Sequence, residues 1–416
     1  LYTSDEQNKE ESLKYFKIAA DKGNSSAMNK YATMIYKEYS NKDEAFKYFK
    51  KAIDQGNETA MYNYALIMSK NNEIEEALKY FKMAADKGNA ASMYNYAKLI
   101  YQQNDSSNKE DALKYYKLSA DQGNSSAMNS YANLLYTSDE QNKEESLKYF
   151  KMAADQGNSS AMNSYAFMLE HGEGTEKNIQ ESLKYFKMAA DKGNITAMTN
   201  YANKLYKGDG IEKNIEESFK YFKLAAENGN ISAINKYASM LYKGEGVTQN
   251  INEAAIFFKK AADEGNGIAM FKYAMILFKD LNQKEDAAIY FKMAAGRGVS
   301  SAMNFYANMA LNGDGCPLNK KEAFCYFKMA ADLGNHSAMN SYANMLFYGD
   351  DGIEVNKEEA ARFYKMSADN GNLAAMKSYA KMLYKGDGVD IDKEESLRYL
   401  KMAKNKEIEE SNEISE

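Results

Sequence analysis

Apolar residues return along this chain with the period of a helix and not with that of a strand. Between Ala197 and Leu205, the residues Met198, Tyr201, Ala202 and Leu205 fall on one face, since positions three, four and seven apart share one side of an α-helix. In the window before it, Leu183, Phe186 and Ala190 form one stripe, and Ser182, Tyr185 and Ala189 form a second. Two stripes on one helix predict packing on both sides, as in the middle layer of a stack. No stretch sustains the period-two alternation of a half-buried strand, and no hairpin dipeptide joins two apolar runs.

These windows are one copy of a phrase. Leu-Lys-Tyr-Phe-Lys-Met-Ala-Ala-Asp-x-Gly-Asn, then x-Ser-Ala-Met-x-x-Tyr-Ala-x-x-Leu, recurs through the chain. The glycines of its central turn, from Gly23, Gly56 and Gly88 to Gly334 and Gly371, stand 32 to 37 residues apart. Residues 1–16 recur unchanged at 135–150, the mark of a recent duplication. Such self-similarity predicts a tandem array of helix pairs in place of independent domains. We call the helix carrying Met-x-x-Tyr-Ala helix A and the one carrying Leu-Lys-Tyr-Phe helix B. Tyr and Ala recur together at eleven helix A sites, from Tyr31–Ala32 to Tyr379–Ala380. The small residue, as at Ala202 and Ala238, lets neighbouring axes approach, and the ring fills the gap beside it.

The helix ends carry matching signals. In Asp21-Lys22-Gly23-Asn24-Ser25-Ser26, Gly23 suits a left-handed C-cap, and the Asn or Ser that follows can accept the free N–H groups of the next first turn. Acidic pairs such as Glu216-Glu217 and Glu358-Glu359 fall in the first turn of helix B, where they complement the helix dipole.

The stretch Ala197…Tyr201-Ala202…Leu205…Gly208-Asp209-Gly210-Ile211…Tyr221…Ala225-Ala226…Gly229 resembles the Sel1-like repeat, a relative of the tetratricopeptide repeat. Its Gly-x-Gly connection recurs at Gly172–Gly174, Gly244–Gly246, Gly313–Gly315 and Gly386–Gly388, with a one-residue expansion at Gly349–Gly352. Five units depart from it, with connections such as Lys70-Asn71-Asn72. The resemblance implies an all-α fold, a right-handed α/α superhelical solenoid of about eleven helix pairs, and a role in protein interaction as an adaptor or scaffold. On this reading, residues 1–22 are a truncated first repeat holding an orphan helix B, and 23–403 are the continuous solenoid. Residues 404–416 are an acidic C-terminal extension, a helix fading into disorder. No polar cap precedes Leu13 and Phe16, so the natural chain is expected to continue upstream with further repeats.

Composition narrows the function. A net charge of −6 and a pI near 5.4 argue against a nucleic-acid-binding surface. No apolar run approaches the ~20 residues that span a bilayer, so membrane insertion is not expected. Two cysteines make no disulfide framework; Cys325 is expected to be a free, buried thiol in a reducing, cytoplasmic setting. An endoplasmic reticulum lumen is the alternative, should a signal peptide lie upstream. His171 and His336 are about five repeats apart and do not share a metal. No nucleophile elbow, zinc helix, phosphate loop or paired Cys-x-x-Cys is present, so we expect no catalytic residues, metal or cofactor, and no small-molecule substrate. The Asn-x-Ser/Thr triplets, as at Asn24 and Asn194, serve the turn through capping, and the methionine column from Met28 onward is core filler.

The informative positions lie just after that methionine, because one column of helices lines the inner face of a solenoid. There the chain carries Asn29, Tyr62, Tyr94, Asn129, Asn163, Thr199, Asn235, Phe271, Asn304, Asn340 and Lys377. Asn is a poor helix former, so its recurrence in a helix interior is unexpected on propensity. An amide can donate to and accept from an extended peptide backbone. Candidate partner-binding residues are therefore Asn129, Asn163, Asn235, Asn304 and Asn340, with Tyr62, Tyr94 and Phe271 as aromatic anchors. Replacing Asn163 and Asn235 by Ala is expected to remove no core contact. The leading function is a non-enzymatic scaffold that binds proteins or peptides on its concave face; the alternative is a component built permanently into a large assembly.

Overall fold

The computed structural model describes residues 2–103, 108–138, 142–350 and 352–415. Among these residues there are 23 helices and no strand. An isolated bridge between Asp350 and Ile353 closes the expanded glycine loop, whose Asp351 lies outside the described residues, as do Leu1 and Glu416. The first helix is Tyr2–Asp21; A–B pairs follow, from Ser25–Glu38 with Lys42–Asp54 to Leu373–Lys385 with Lys393–Ser415. The chain divides into two compact units, Leu1–Lys213 and Asn214–Glu416. Within each, every helix packs on its neighbours in chain order, so each helix B lies against the helix A before it and the helix A after it.

The core repeats with the sequence. Ala32, Ala65, Ala132, Ala166, Ala202 and Ala238 expose nothing, which lets the neighbouring helix come close. On helix B, Ser182, Leu183, Tyr185, Phe186, Ala189 and Ala190 are all buried, so both stripes are covered. The buried serine is not idle: the hydroxyls of Ser146, Ser182 and Ser396 donate to the carbonyls of Ala132, Ala166 and Ala380 at 2.7–2.8 Å. A second hydrogen-bonded bracket runs through the tyrosines. The helix A phenol donates to a glutamate in the first turn of its own helix B: Tyr31 to Glu44 at 2.8 Å, Tyr131 to Glu145 at 3.0 Å, Tyr237 to Glu253 at 2.8 Å. The helix B phenol donates to the aspartate ending the helix B before it: Tyr149 to Asp121 at 2.8 Å, Tyr185 to Asp155 at 3.1 Å, Tyr399 to Asp369 at 2.5 Å. The two rings meet edge to face with centroids 4.8 Å apart in Tyr31–Tyr48, Tyr131–Tyr149 and Tyr165–Tyr185.

The asparagine after each turn glycine caps helix A: Asn24, Asn57, Asn158, Asn194 and Asn230 accept the N–H groups of Ala27, Ala60, Ala161, Ala197 and Ala233. In the A–B connection the first glycine of Gly-x-Gly takes the left-handed conformation of a C-cap, as Gly313 does with φ 70°. The second glycine does more than turn. A Cβ on Gly315 would sit 2.4 Å from the carbonyl oxygen of Lys284, on the first residue of the preceding helix B. The acidic residue between the glycines then pairs with that same helix: Asp314 with Lys284 and Asp387 with Lys357, both at 2.8 Å. Where the glycines are missing, Ser40, Asn72 and Asn282 take positive φ in their place.

One expectation changes. Cys325 is exposed, not buried, because it stands where Leu-Lys-Tyr-Phe has its lysine, on the outer side of helix B. The duplicated segment also folds in two ways. Residues 135–150 hold the end of a helix at Ser138 and the start of another at Lys143, whereas residues 2–16, the described part of their copy, lie within the helix Tyr2–Asp21. At 135 the chain belongs to a helix A held by buried Met128, Tyr131 and Leu135, and it must reverse for helix B to cover them. At the other end, the last helix runs past Ala403 to Ser415, with Lys377 and Glu407 paired across to it.

Gly315→Ala and Gly298→Ala separate the two uses of glycine. Gly298 has φ 82° with open space around its would-be Cβ, whereas Gly315, at φ 74°, meets backbone. Gly298→Ala is expected to cost about 1–2 kcal/mol in chemical denaturation and Gly315→Ala at least about twice that; equal losses would mean that the close approach contributes nothing.

The phenols predict an alkaline limit. Hydrogen bonding to Asp21 pushes Tyr48 up to about 12, and burial does the same for Tyr149 and Tyr342. A raised folded value means that the bracket contributes fully below the free phenol value of about 10 and is lost as pH rises through about 12. Tyrosinate absorbance and helical circular dichroism should therefore change together in that window. Titration as free phenols with the helices intact would contradict the bracket.

Candidate functional site

The outer half of helix A varies from repeat to repeat while its Tyr-Ala core does not. The fifth residue after the core methionine position is Thr33, Leu66, Lys98, Asn133, Phe167, Asn203, Ser239, Met275, Asn308, Asn344 or Lys381. Several of these satisfy themselves: Thr33, Asn133, Asn203, Ser239 and Asn308 each bond back to a carbonyl one turn earlier, at 2.7–2.9 Å. Their side-chain donors are thus engaged, and their column forms a wall.

Between successive helices A this wall opens into a slot floored by a helix B ring. In the first unit Asn133 and Tyr136 face Asn163, Ser164, Phe167 and Met168 across Phe150, around about 110 Å³. In the second, Ser239, Tyr242 and Lys243 face Lys272, Met275, Ile276 and Lys279 across Phe258, around about 270 Å³. A third, about 70 Å³, lies between Phe347–Tyr348 and Ser378–Lys381 across Tyr364. The same helix positions build all three, and the linings differ: neutral amide and ring, cationic and apolar, mixed charge.

The residues expected to bind a partner are all half-buried beside this wall, and of them Asn163 lines a slot. The amide oxygens of Asn129, Asn235, Asn304 and Asn340 are buried and accept no hydrogen bond among the described residues, so those oxygens are not offered to a ligand. Asn163 Oδ1 accepts from Asn200 Nδ2 at 3.2 Å, and Asn235 Nδ2 donates to Asn266 Oδ1 at 3.3 Å. Removing these two amides would therefore break inter-repeat bonds, contrary to expectation. The rings pack inward: Tyr62 lies 6.1 Å from Phe81, Tyr94 5.8 Å from Tyr116, and Phe271 5.8 Å from both Phe291 and Phe305. The reading from sequence missed the slot-lining Ser164, Phe167, Lys272, Met275, Ser378 and Lys381. Their signal was variation among otherwise near-identical repeats.

Lys272 is the most unusual of them. Its Nζ donates to Ser239 Oγ at 2.6 Å and sits 5.3 Å from the centre of the Phe258 ring. Burial, with the nearby charge of Lys243, holds its pKa below the usual ammonium range. No carboxylate pairs with it among the described residues. As for the histidines, His171 closes its helix with Nδ1 2.9 Å from the Phe167 carbonyl, and His336 is exposed at the start of its own. The described residues hold no group of three or more His, Cys, Asp or Glu able to bind a metal, and none of their helices is long and apolar enough to cross a membrane.

Helix pairs stacked in chain order about a glycine turn define an α/α repeat solenoid. The chain belongs to the Sel1 repeat family, whose model matches residues 3–24, 25–57, 59–89, 90–124, 125–158, 159–194, 195–230, 231–266, 267–299, 300–335, 336–372 and 373–407. Among solved structures it is similar to c5321, a protective antigen of uropathogenic Escherichia coli strains with an SLR fold. That match has a TM-score of 0.79 at 24% identity, over 94% of this chain and 86% of the other. It is also similar to a Sel1 repeat protein from Oxalobacter formigenes, with a TM-score of 0.51 at 26% identity over 58% and 96% of the two chains. No protein of curated function matches the sequence. The solenoid is of a kind typical of protein–protein interaction scaffolds, and its family is typically non-catalytic.

The strain at Lys272 is measurable. Lys272→Met keeps the stem and removes a poorly solvated charge, so the melting temperature should rise by roughly 1–3 °C. A drop would mean that the ammonium stabilises the free protein.

Proposed function

We propose that this chain is a non-enzymatic scaffold that holds segments of partner proteins along its helix A face, the concave face of each solenoid segment. One observation carries the reading: the same slot recurs between successive helices A, in both units, with a different lining each time. A framework that keeps its core and varies one wall is how a repeat protein separates stability from recognition. The slots are side-chain-sized, below the ~300–1,000 Å³ of small-molecule sites, which favours peptide over metabolite. In this reading Asn163 contacts the partner directly. Asn129, Asn235, Asn304 and Asn340 border the slots, and Tyr62, Tyr94 and Phe271 shape the face where an amide is absent. The partner needs no nucleic acid and no membrane.

Photo-cross-linking tests it. A photoreactive residue in place of Phe167 or Met275 should capture defined partner peptides from native extract, identified by mass spectrometry. The same probe at Leu224 or Met329, exposed on helix B, should not. Capture from helix B alone, resistant to salt and to exchange, would move the contacts to the outer face and favour a permanent structural component. Asn163→Ala with Ser164→Ala should weaken capture by the probe at position 167 about ten-fold, or about 1.4 kcal/mol, with the helical circular dichroism unchanged.

A further inference from the structure

The slot of the second unit, between Ile231–Lys243 and Gly267–Lys279, is set apart by charge as well as size. Tyr242, Phe258, Met275 and Ile276 give it apolar walls, and its 270 Å³ exceeds the 110 and 70 Å³ of the other two. Into it reaches the ammonium of Lys272, held by one hydroxyl and one ring face. That is a poor replacement for water around a cation. The neighbouring acids are engaged elsewhere: Glu245 pairs with Lys243 at 3.4 Å, and Asp280 accepts the Tyr242 hydroxyl at 3.2 Å. Lys243 and Lys279 stand exposed at the rim. The positive charge of this slot is thus left over after the protein's own pairing.

The chemistry of the missing counterpart follows. The slot lies along the C-terminal halves of its two helices A, where no free backbone N–H groups cradle a phosphate. Lysine offers a point charge in place of arginine's bidentate fork. A carboxylate beside an apolar side chain uses both features, the ammonium and the walls. We propose that this slot anchors an acidic residue with an adjacent large apolar residue on an extended segment of a partner protein, the carboxylate pairing with Lys272 and the apolar chain filling the space among Tyr242, Phe258, Met275 and Ile276. This rests on the helix A face being the binding face. The lowered proton affinity of Lys272 agrees with it, since a carboxylate would restore what burial takes away.

The test uses the full chain and two synthetic peptides, acetyl-Gly-Ser-Glu-Leu-Glu-Ser-Gly-amide and its counterpart with both Glu replaced by Gln. Binding is followed by the methyl resonance of Met275 in methionine-labelled protein. The Glu peptide should shift that resonance saturably. The Gln peptide should bind at least about ten-fold more weakly, as should the Glu peptide to Lys272→Met. Lys260→Met, on helix B, should change nothing. Lys272→Gln, which keeps a polar tip near Ser239, serves as the second variant should Lys272→Met fail to fold. Equal binding of both peptides at Met275, or unchanged binding to either Lys272 variant, would overturn the acidic anchor and leave the helix A face standing. A silent Met275 resonance with the Glu peptide would also overturn it, and capture at Phe167 would then decide the broader reading separately.

Discussion

In most repeats two phenols bind this protein into a stack; at Phe257 and Phe363 the helix B ring keeps the edge-to-face contact without the hydroxyl. One phenol, on helix A, reaches forward to a glutamate at the start of its own helix B; the other, on helix B, reaches back to the aspartate that ended the previous one. Their rings meet edge to face between these two carboxylates. Apolar burial alone would let stacked helices slide, since Ala and Phe columns pack with little directional preference. A hydroxyl aimed at a carboxylate has direction, and two of them pointing opposite ways fix the register of one pair on the next. The glutamates in the first turn of helix B thus do two tasks, complementing the helix dipole and closing the bracket.

With register fixed from within, the outer half of helix A is free to vary. The core asks for Met, Tyr, Ala and an apolar turn; it asks little of the second, fifth and eighth residues after the methionine. Those positions form the walls of the slots, and their chemistry differs from one slot to the next. Lys272 illustrates the consequence. A half-buried ammonium without a carboxylate does nothing for the core, and the bracket and the alanine columns tolerate it because they stabilise the stack independently of that wall. The second glycine of Gly-x-Gly plays a similar part at the rim: Gly315 and Gly388 bring their loops onto the first residue of the preceding helix B, where Asp314 and Asp387 find Lys284 and Lys357.

Sequence alone was enough for the helix pairs, their order, the glycine turns and the buried Tyr-Ala core, because each is a local or periodic demand repeated many times over. Repetition also exposed the candidate face. The residue after the methionine attracted notice for its asparagines; four of their oxygens are buried, and Asn163 lines one of the three slots described above. Whether a helical position faces a groove or the next helix depends on how far the neighbouring axes are rotated, and no single-chain period encodes that angle.

What only the tertiary structure decided is where identical or similar residues go once neighbours compete for them. The segment from Leu135 to Phe150 spans a helix end at Ser138 and a helix start at Lys143, because the buried Met128, Tyr131 and Leu135 of helix A need a helix B to cover them. Cys325 reads as a small hydrophobe in an apolar helix, yet it is exposed, in a column held in most other repeats by lysine or arginine. Lys272 reads as one more surface lysine among many, and the ring of Phe258 and the hydroxyl of Ser239, each from a different helix, make it a half-buried cation. Periodicity determined which elements form and in what order; the packing of one element on another determined which side chains were left without a partner, since that depends on distances between residues far apart in the chain.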